Sequence, residues 1–378
     1  MWENVAKTLA ADMKAYNAST AKKIVPVSLL AKWMPSENTS SAKTRQMAAK
    51  AMRALHLEPR KYRKMLSALR KHINVVERQM SAGEWGLIDY AKVPSYAMHN
   101  YGSAFAKHDH ERFDAYLKSV SKGEVKINAA TLYPYDLVEK YMSRGYIGHR
   151  YGDCIIDDKL DSVVEAQWKA LPNYINEGLN IVAMADVSGS MRGRPMASSI
   201  GLAVYLAQHN VGAYRNQYMT FTDSPHFINL REGCSLLEAV QKTASAGVGY
   251  STNLMKAMDE ILRVAVVNRV SESELPKAML VLSDNEIDRY FRPSANWDFM
   301  DTLEAKFRAA GYRHCPKLIM WNINARHDTF LSNREDVVLV SGQSASAFKN
   351  LVRALNGMTA YEYMVSILNG KAYEKVRI

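Results

Sequence analysis

The chain has 378 residues, 48% hydrophobic and 23% charged, the composition of a globular protein with room for about two to three domains. No segment approaches the roughly 18 uncharged apolar residues of a membrane span, and "MWENVAKTLAADMKAYNAST" at the N-terminus lacks the apolar core of a signal peptide. Cys154, Cys234 and Cys315 are scattered and without CxxC spacing, which argues against a zinc site and for a reducing, cytoplasmic setting.

The net charge of +11 is uneven. Residues 1–175 hold 27 Lys+Arg against 18 Asp+Glu, a balance of +9, and the remainder 22 against 20, a balance of +2. Such an excess fits an acidic partner such as nucleic acid, and equally a solvated basic surface.

From about residue 40 to 170 the periodicity is helical. "SSAKTRQMAAKAMRALH" repeats an apolar face through Ala48, Ala51 and Leu55. In "EPRKYRKMLSALRKHINVVERQMSAG" the residues Tyr62, Met65, Leu66, Leu69, Ile73, Val76 and Met80 form one stripe of a long helix, with Pro59 in its first turn and Gly83 past its end. A further helix carries Phe113, Tyr116, Leu117 and Val120 and stops at Gly123. Successive amphipathic helices with short joints describe a bundle or an α-solenoid, although no fixed-length repeat is visible.

From residue 178 the pattern changes. "LNIVAMAD", "NQYMTFT", "KAMLVLSD", "KLIMWNI" and "DVVLVSG" read as buried strands, alternating with helices near 195–209, 235–245, 252–269, 298–310 and 344–356. This is a mostly parallel sheet covered on both faces, with "HFINL" as a short antiparallel edge strand. Ligands of such sheets bind beyond the carboxyl ends of the strands. Three loops at that edge are rich in oxygen donors: "DVSGS", "GYSTN" and "LSDNE". Ser188, Ser190 and Thr252 offer hydroxyls and Asp186 and Asp284 supply charge, a donor set for a hard divalent cation such as Mg²⁺ (or Mn²⁺). A first shell with few direct carboxylates leaves the ion electropositive, ready for an acidic group from a partner. Serines and acids at strand ends also simply cap helices, so D-x-S-x-S alone is a loose pattern.

On these residues the chain resembles a von Willebrand factor A domain over 178–357, with a complete metal-ion-dependent adhesion site at Asp186, Ser188, Ser190, Thr252 and Asp284. The resemblance implies that the hydroxyls coordinate directly and the aspartates act largely through water. The stretch from Leu29 to Met98, beginning "LLAKWMPSENTSSAKTRQ", resembles an uncharacterised family of phage, plant and fungal proteins that carry this A domain at the C-terminus. That architecture is similar to the Ro autoantigen group (telomerase, Ro and vault proteins). Ro proteins are ring-shaped binders of small structured RNAs, so the resemblance implies RNA as a partner by analogy.

Arg53, Arg60, Lys61, Arg63, Lys64, Arg70, Lys71 and Arg78 fall within 26 residues whose only acids are Glu58 and Glu77, mostly opposite the apolar stripe. Such a cationic face serves phosphate binding, and the first seven are the candidate nucleic-acid residues. "YMSRGYIGHRYG" interleaves Tyr141, Tyr146 and Tyr151 with Arg144, His149 and Arg150, a stacking surface or, more simply, helix packing. His108 and His110 read as a solvated helix start, the cysteines as core residues, and His327 with Asp328 lacks a nucleophile at diagnostic spacing.

The expected protein is thus α/β: a basic all-α domain over 1–175 and a Rossmann-like, doubly wound A-type domain over 176–378. The expected function is non-enzymatic: binding of single-stranded or end-containing RNA, with a metal site that captures an acidic ligand and no membrane association. The rival is a protein-assembly module whose metal takes an acidic residue from another subunit. An enzyme ranks third, because no nucleophile–base pair or phosphate-cradling glycine loop appears.

Overall fold

Apolar runs without alternation must be covered on both sides, and the observed sheet answers that demand. In a computed structural model, the residues described are 2–20, 23–142, 159–173, 180–222, 224–246, 254–284, 296–324, 337–343, 347, 360–370 and 373–374. They fall into two compact units, Met1–Ser119 and Val120–Ile378.

Unit 1 is helical: α1 (Trp2–Ala18), α2 (Leu30–Trp33), α3 (Ala42–Ala54), α4 (Pro59–Ile73), α5 (Val76–Ser81), α6 (Ser95–His108) and most of α7 (His110–Ser121). Leu9, Ala48, Ala51, Tyr62, Leu66 and Leu69 interlock as a core. The stripe expected to run along one long helix is divided between α4 and α5. Asn74 adopts the left-handed conformation (φ 58°, ψ 51°), and the Asn74 and Val75 amides close back on Lys71 and Arg70 carbonyls. Asparagine tolerates that geometry better than most residues, so the helix stops and restarts at Val76 with the stripe kept on the buried side. The helices run from four to 17 residues and follow no constant repeat.

Unit 2 carries α8 (Pro134–Tyr141), α9 (Ser162–Lys169), β1 (Ile181–Ala185), α10 (Arg194–His209), β2 (Gln217–Thr220), β3 (Phe227–Asn229) and α11 (Leu236–Ser245). There follow α12 (Leu254–Val267), β4 (Ala278–Ser283), α13 (Asn296–Ala309), β5 (Lys317–Asn322), β6 (Val337–Ser341) and α14 (Ala360–Leu368). The six strands are ordered β3-β2-β1-β4-β5-β6, all parallel except β3, which runs antiparallel to β2. The chain is mixed α/β, with the mostly parallel sheet in its C-terminal half. Ala183, Leu280 and Ile319 face α8, α9, α10 and α11. Val182, Val281 and Met320 face α12 and α13 on the opposite side. The strands and the helices near 195–209, 235–245, 252–269 and 298–310 stand where the sequence places them, whereas most of 344–356 lies outside the described residues.

The expected domain boundary lies at 175/176, and compaction divides the chain at 119/120. The reason is that α8 and α9 bury their apolar faces on α10 and α11. Gly201 on α10 lets Pro134 approach so closely that a Cβ there would lie 3.0 Å from Pro134 atoms. The buried Glu165 carboxylate accepts the Leu236 and Leu237 amides at 2.8 and 3.0 Å, capping α11, and the Tyr141 hydroxyl at 2.8 Å. Trp168 Nε1 donates to Gln208 at 2.8 Å.

Candidate metal site and candidate nucleic-acid surface

β1 continues its ladder one residue past its end, because the Asp186 amide donates to the Leu282 carbonyl at 3.0 Å. The Asp186 carboxylate is then clamped at both oxygens, by the Ser188 amide on Oδ1 (2.9 Å) and the Ser283 hydroxyl on Oδ2 (2.7 Å). The chain turns through a short 3-10 segment, Gly189–Met191, and enters α10 through Gly193, whose φ of 87° requires glycine. This turn brings the Ser188 and Ser190 hydroxyl oxygens to 3.1 Å of each other. Asp284 follows β4 directly and is buried. Since β1 and β4 are neighbours and parallel, Asp186, Ser188, Ser190 and Asp284 lie at one edge of the sheet. Thr252 lies outside the described residues.

Burial pushes the Asp186 carboxyl above the usual carboxylate range, and the Asp284 charge pushes the same way. The hydrogen bonds from Ser188 and Ser283 oppose that rise. Two acids at adjacent strand ends, with neutral hydroxyls beside them, form an all-oxygen set that fits a hard divalent cation. Among the described residues no group of three or more His, Cys, Asp or Glu gathers at metal-binding range, so hydroxyls would have to complete any shell here. Sequence reading passed over Ser283. The apolar run "KAMLVLS" hides it, and only the pairing of β1 with β4 gives it a role.

In unit 1, Arg60, Lys61, Lys64 and Lys71 are exposed on the side of α4 opposite Tyr62, Leu66 and Leu69, and Arg53 is exposed on α3. Arg63, exposed, and Arg70, half-buried, are both engaged in hydrogen bonds within the unit. Arg63 holds Glu37 through both carboxylate oxygens at 2.8 and 2.6 Å. The half-buried Arg70 donates from Nε to the Ala31 carbonyl (3.0 Å), from Nη1 to Ser36 Oγ (3.0 Å) and from Nη2 to the Met34 carbonyl (2.7 Å). It satisfies carbonyls that the single turn of α2 leaves open. Charge nevertheless concentrates in this unit. Residues 1–119 hold 20 Lys+Arg against 10 Asp+Glu, and residues 120–378 hold 29 against 28.

The remaining singled-out residues have varied surroundings where they are described. Tyr141 is buried against Glu165, whereas 143–152 of the Tyr/Arg stretch lie outside the described residues. His108 stacks on Trp85 with ring centroids 4.4 Å apart, and His110 opens α7. Cys234 is buried and Cys315 half-buried. Cys154, His327 and Asp328 lie outside the described residues. No helix among the described residues is long and apolar enough to cross a membrane.

Two family models cover most of the chain. A domain of unknown function, DUF2828, matches residues 3–178, and a second, DUF7788, matches residues 180–371. An uncharacterized protein of Acanthamoeba polyphaga mimivirus is 31% identical over 369 residues, covering 92% of this chain. The chain spans 62% of the length of that relative. Among solved structures, the crystal structure of the Deinococcus radiodurans RO (RSR) protein aligns over 94% of this chain and 77% of its own, at 16% identity and a TM-score of 0.39. A likeness at that score carries no inference about fold or ligand.

Proposed function

We propose, for a chain that belongs to the DUF7788 family of unknown function, a non-enzymatic binding role in which a divalent cation at the sheet edge captures an acidic ligand and the basic unit binds RNA. The observation that carries the metal reading is the pair of buried carboxylates, Asp186 and Asp284, at the ends of adjacent strands beside the Ser188 and Ser190 hydroxyls. Asp186, Ser188, Ser190 and Asp284, with Thr252, would hold Mg²⁺ or Mn²⁺. The ion would supply an electropositive point for a carboxylate or phosphate of the partner.

Charge segregation supports the RNA reading, since unit 1 holds a balance of +10 and unit 2 of +1. Duplex RNA hides its base edges in a deep, narrow groove, so single-stranded or end-containing RNA is the expected ligand, held through phosphates with low sequence preference. Two titrations test the reading: calorimetry with Mg²⁺ and Mn²⁺, and anisotropy of a labelled single-stranded RNA over a salt series. Heat of binding with the metals and a steep fall of RNA affinity with salt are expected. Metal binding with no RNA binding at low salt would make a protein-assembly module, its ion taking an acid from a partner chain, the better account.

A further inference from the structure

We infer that Trp33 is a base-stacking platform for single-stranded nucleic acid on unit 1. This rests on the RNA reading above and adds to it a residue, a chemistry and a preference for bases over bare backbone.

Trp33 is 77% exposed, although it sits in a segment held from several sides. Before it, the buried Asp12 carboxylate accepts the Ser28 amide and hydroxyl at 2.7 and 2.6 Å. Around it, Arg70 bonds the Ala31 and Met34 carbonyls and the Ser36 hydroxyl. After it, the Tyr62 hydroxyl donates to the Pro35 carbonyl at 2.8 Å. Ala31 and Met34 turn inward to the core and Trp33 turns outward. An indole that contributes little to the core, carried on a pinned single turn, is preorganised to receive a flat partner.

The charge around it points to the partner's chemistry. Lys32 Nζ lies 5.7 Å from the Trp33 ring centroid. Arg63 and Arg70 mark the side of α4 that meets this segment. Arg60, Lys64 and Lys71, spaced by four and seven, form the next row round that helix and are exposed. Over Arg60 to Lys71 this row extends roughly 16 Å. An aromatic face beside a row of cations is the combination that binds single strands, bases on the ring and phosphates along the charges. Leu29, also exposed, widens the apolar face by one side chain at helical spacing. A single turn is too short to lie in a lipid interface as an amphipathic helix, which favours nucleic acid over a membrane surface.

The test uses the full chain and two labelled probes of equal charge, a 12-nucleotide oligouridylate and its abasic counterpart. The unmodified protein should bind the base-bearing probe more tightly. Trp33→Ala should weaken oligouridylate binding by about 5- to 100-fold, leave abasic binding unchanged and leave the salt slope unchanged, while Trp33→Phe keeps most of the affinity. The residue is exposed, so both variants should retain the far-ultraviolet spectrum of the parent. If Trp33→Ala binds oligouridylate as tightly as the parent, while glutamine at Arg60, Lys61, Lys64 and Lys71 abolishes binding, the stacking role is overturned and the RNA reading stands. If the parent binds neither probe, both are overturned. Trp33-dependent binding to phosphatidylserine vesicles, without such dependence for the oligonucleotide, would likewise overturn the proposal in favour of a lipid surface.

Discussion

The Ser283 hydroxyl donates a 2.7 Å hydrogen bond to Oδ2 of Asp186, joining residues 97 positions apart in the chain. With the Ser188 amide on the other oxygen, the carboxylate is fixed in place next to a second buried acid. Burial disfavours a charge so placed, and a bound cation would offset that cost.

Asp186→Asn separates those two effects. The amide can still accept from the Ser188 amide and can donate to Ser283, so shape and bonding survive while the charge is lost. Metal-free Asp186→Asn should melt at or above the parent's temperature. The parent should gain about 2.7 kcal/mol when Mg²⁺ stands at 100 times its dissociation constant, and the variant nothing. Thermal melts in chelator and in MgCl₂ measure both. A variant that keeps the Mg²⁺-dependent rise would place the ion elsewhere.

Arg70 should behave as a structural residue. Arg70→Met keeps the aliphatic stem but strips donors from the Ala31 and Met34 carbonyls and from Ser36. Each buried acceptor left open costs about 1–3 kcal/mol. The variant should unfold at lower denaturant than a Lys64→Gln control, and its folded fraction should keep the parent's salt slope for RNA, whereas Lys64→Gln should lower that slope by about 0.7. A slope lowered equally by Arg70→Met would return this residue to the phosphate surface.

Much of unit 2 was legible because its strands are uninterrupted apolar runs and each acid that matters ends one. Ser283 was not, since its role depends on which strand pairs with β1, a relation between residues far apart. The bonds of Arg70 to Ala31, Ser36 and Met34 were not legible for a different reason. Arg70 follows Leu69 by one residue and Leu66 by four, so it stands at the margin of the apolar stripe, where a long side chain can reach inward to a neighbouring segment. The stop at Asn74 was hidden because α5 resumes the same stripe.

Gly201→Ala pits propensity against space. Alanine in a helix interior gains about 1 kcal/mol over glycine. The new methyl would stand 3.0 Å from Pro134 backbone and side-chain atoms, and overpacking of that kind costs typically about 1–3 kcal/mol. Pro134 begins α8 and cannot yield as the end of a flexible side chain would, so net destabilisation is expected in a urea titration. A stabilised variant would mean that α8 is loosely seated.

Alkaline titration should reveal several phenols that ionise late. Burial raises Tyr116 to about 12, and it raises Tyr214 and Tyr218 as well. Tyr90 and Tyr141 are raised by burial and by hydrogen bonds to Asp109 and Glu165. Each folded value exceeds the unfolded one near 10, so the stability these groups contribute is whole below about pH 10 and is lost as pH rises through the folded values. Absorbance at 295 nm should therefore show a class of tyrosines that ionises together with loss of the far-ultraviolet signal. Smooth ionisation of all tyrosines near pH 10, with the fold intact, would contradict the burial described.

Glu165 is covered by the DUF2828 match, yet the amides it caps, Leu236 and Leu237, are covered by the DUF7788 match. The junction between the two matched regions is therefore no natural place for modules to be exchanged. A recombinant joining a foreign N-terminal region at residue 179 would inherit α11 with its first amides uncapped and α10 stripped of the cover given by Pro134, Leu137 and Trp168. α8 and α9 are held to the sheet domain by contact, so lineages that shuffle these regions are constrained to carry those helices along or to reinvent a buried carboxylate in their place.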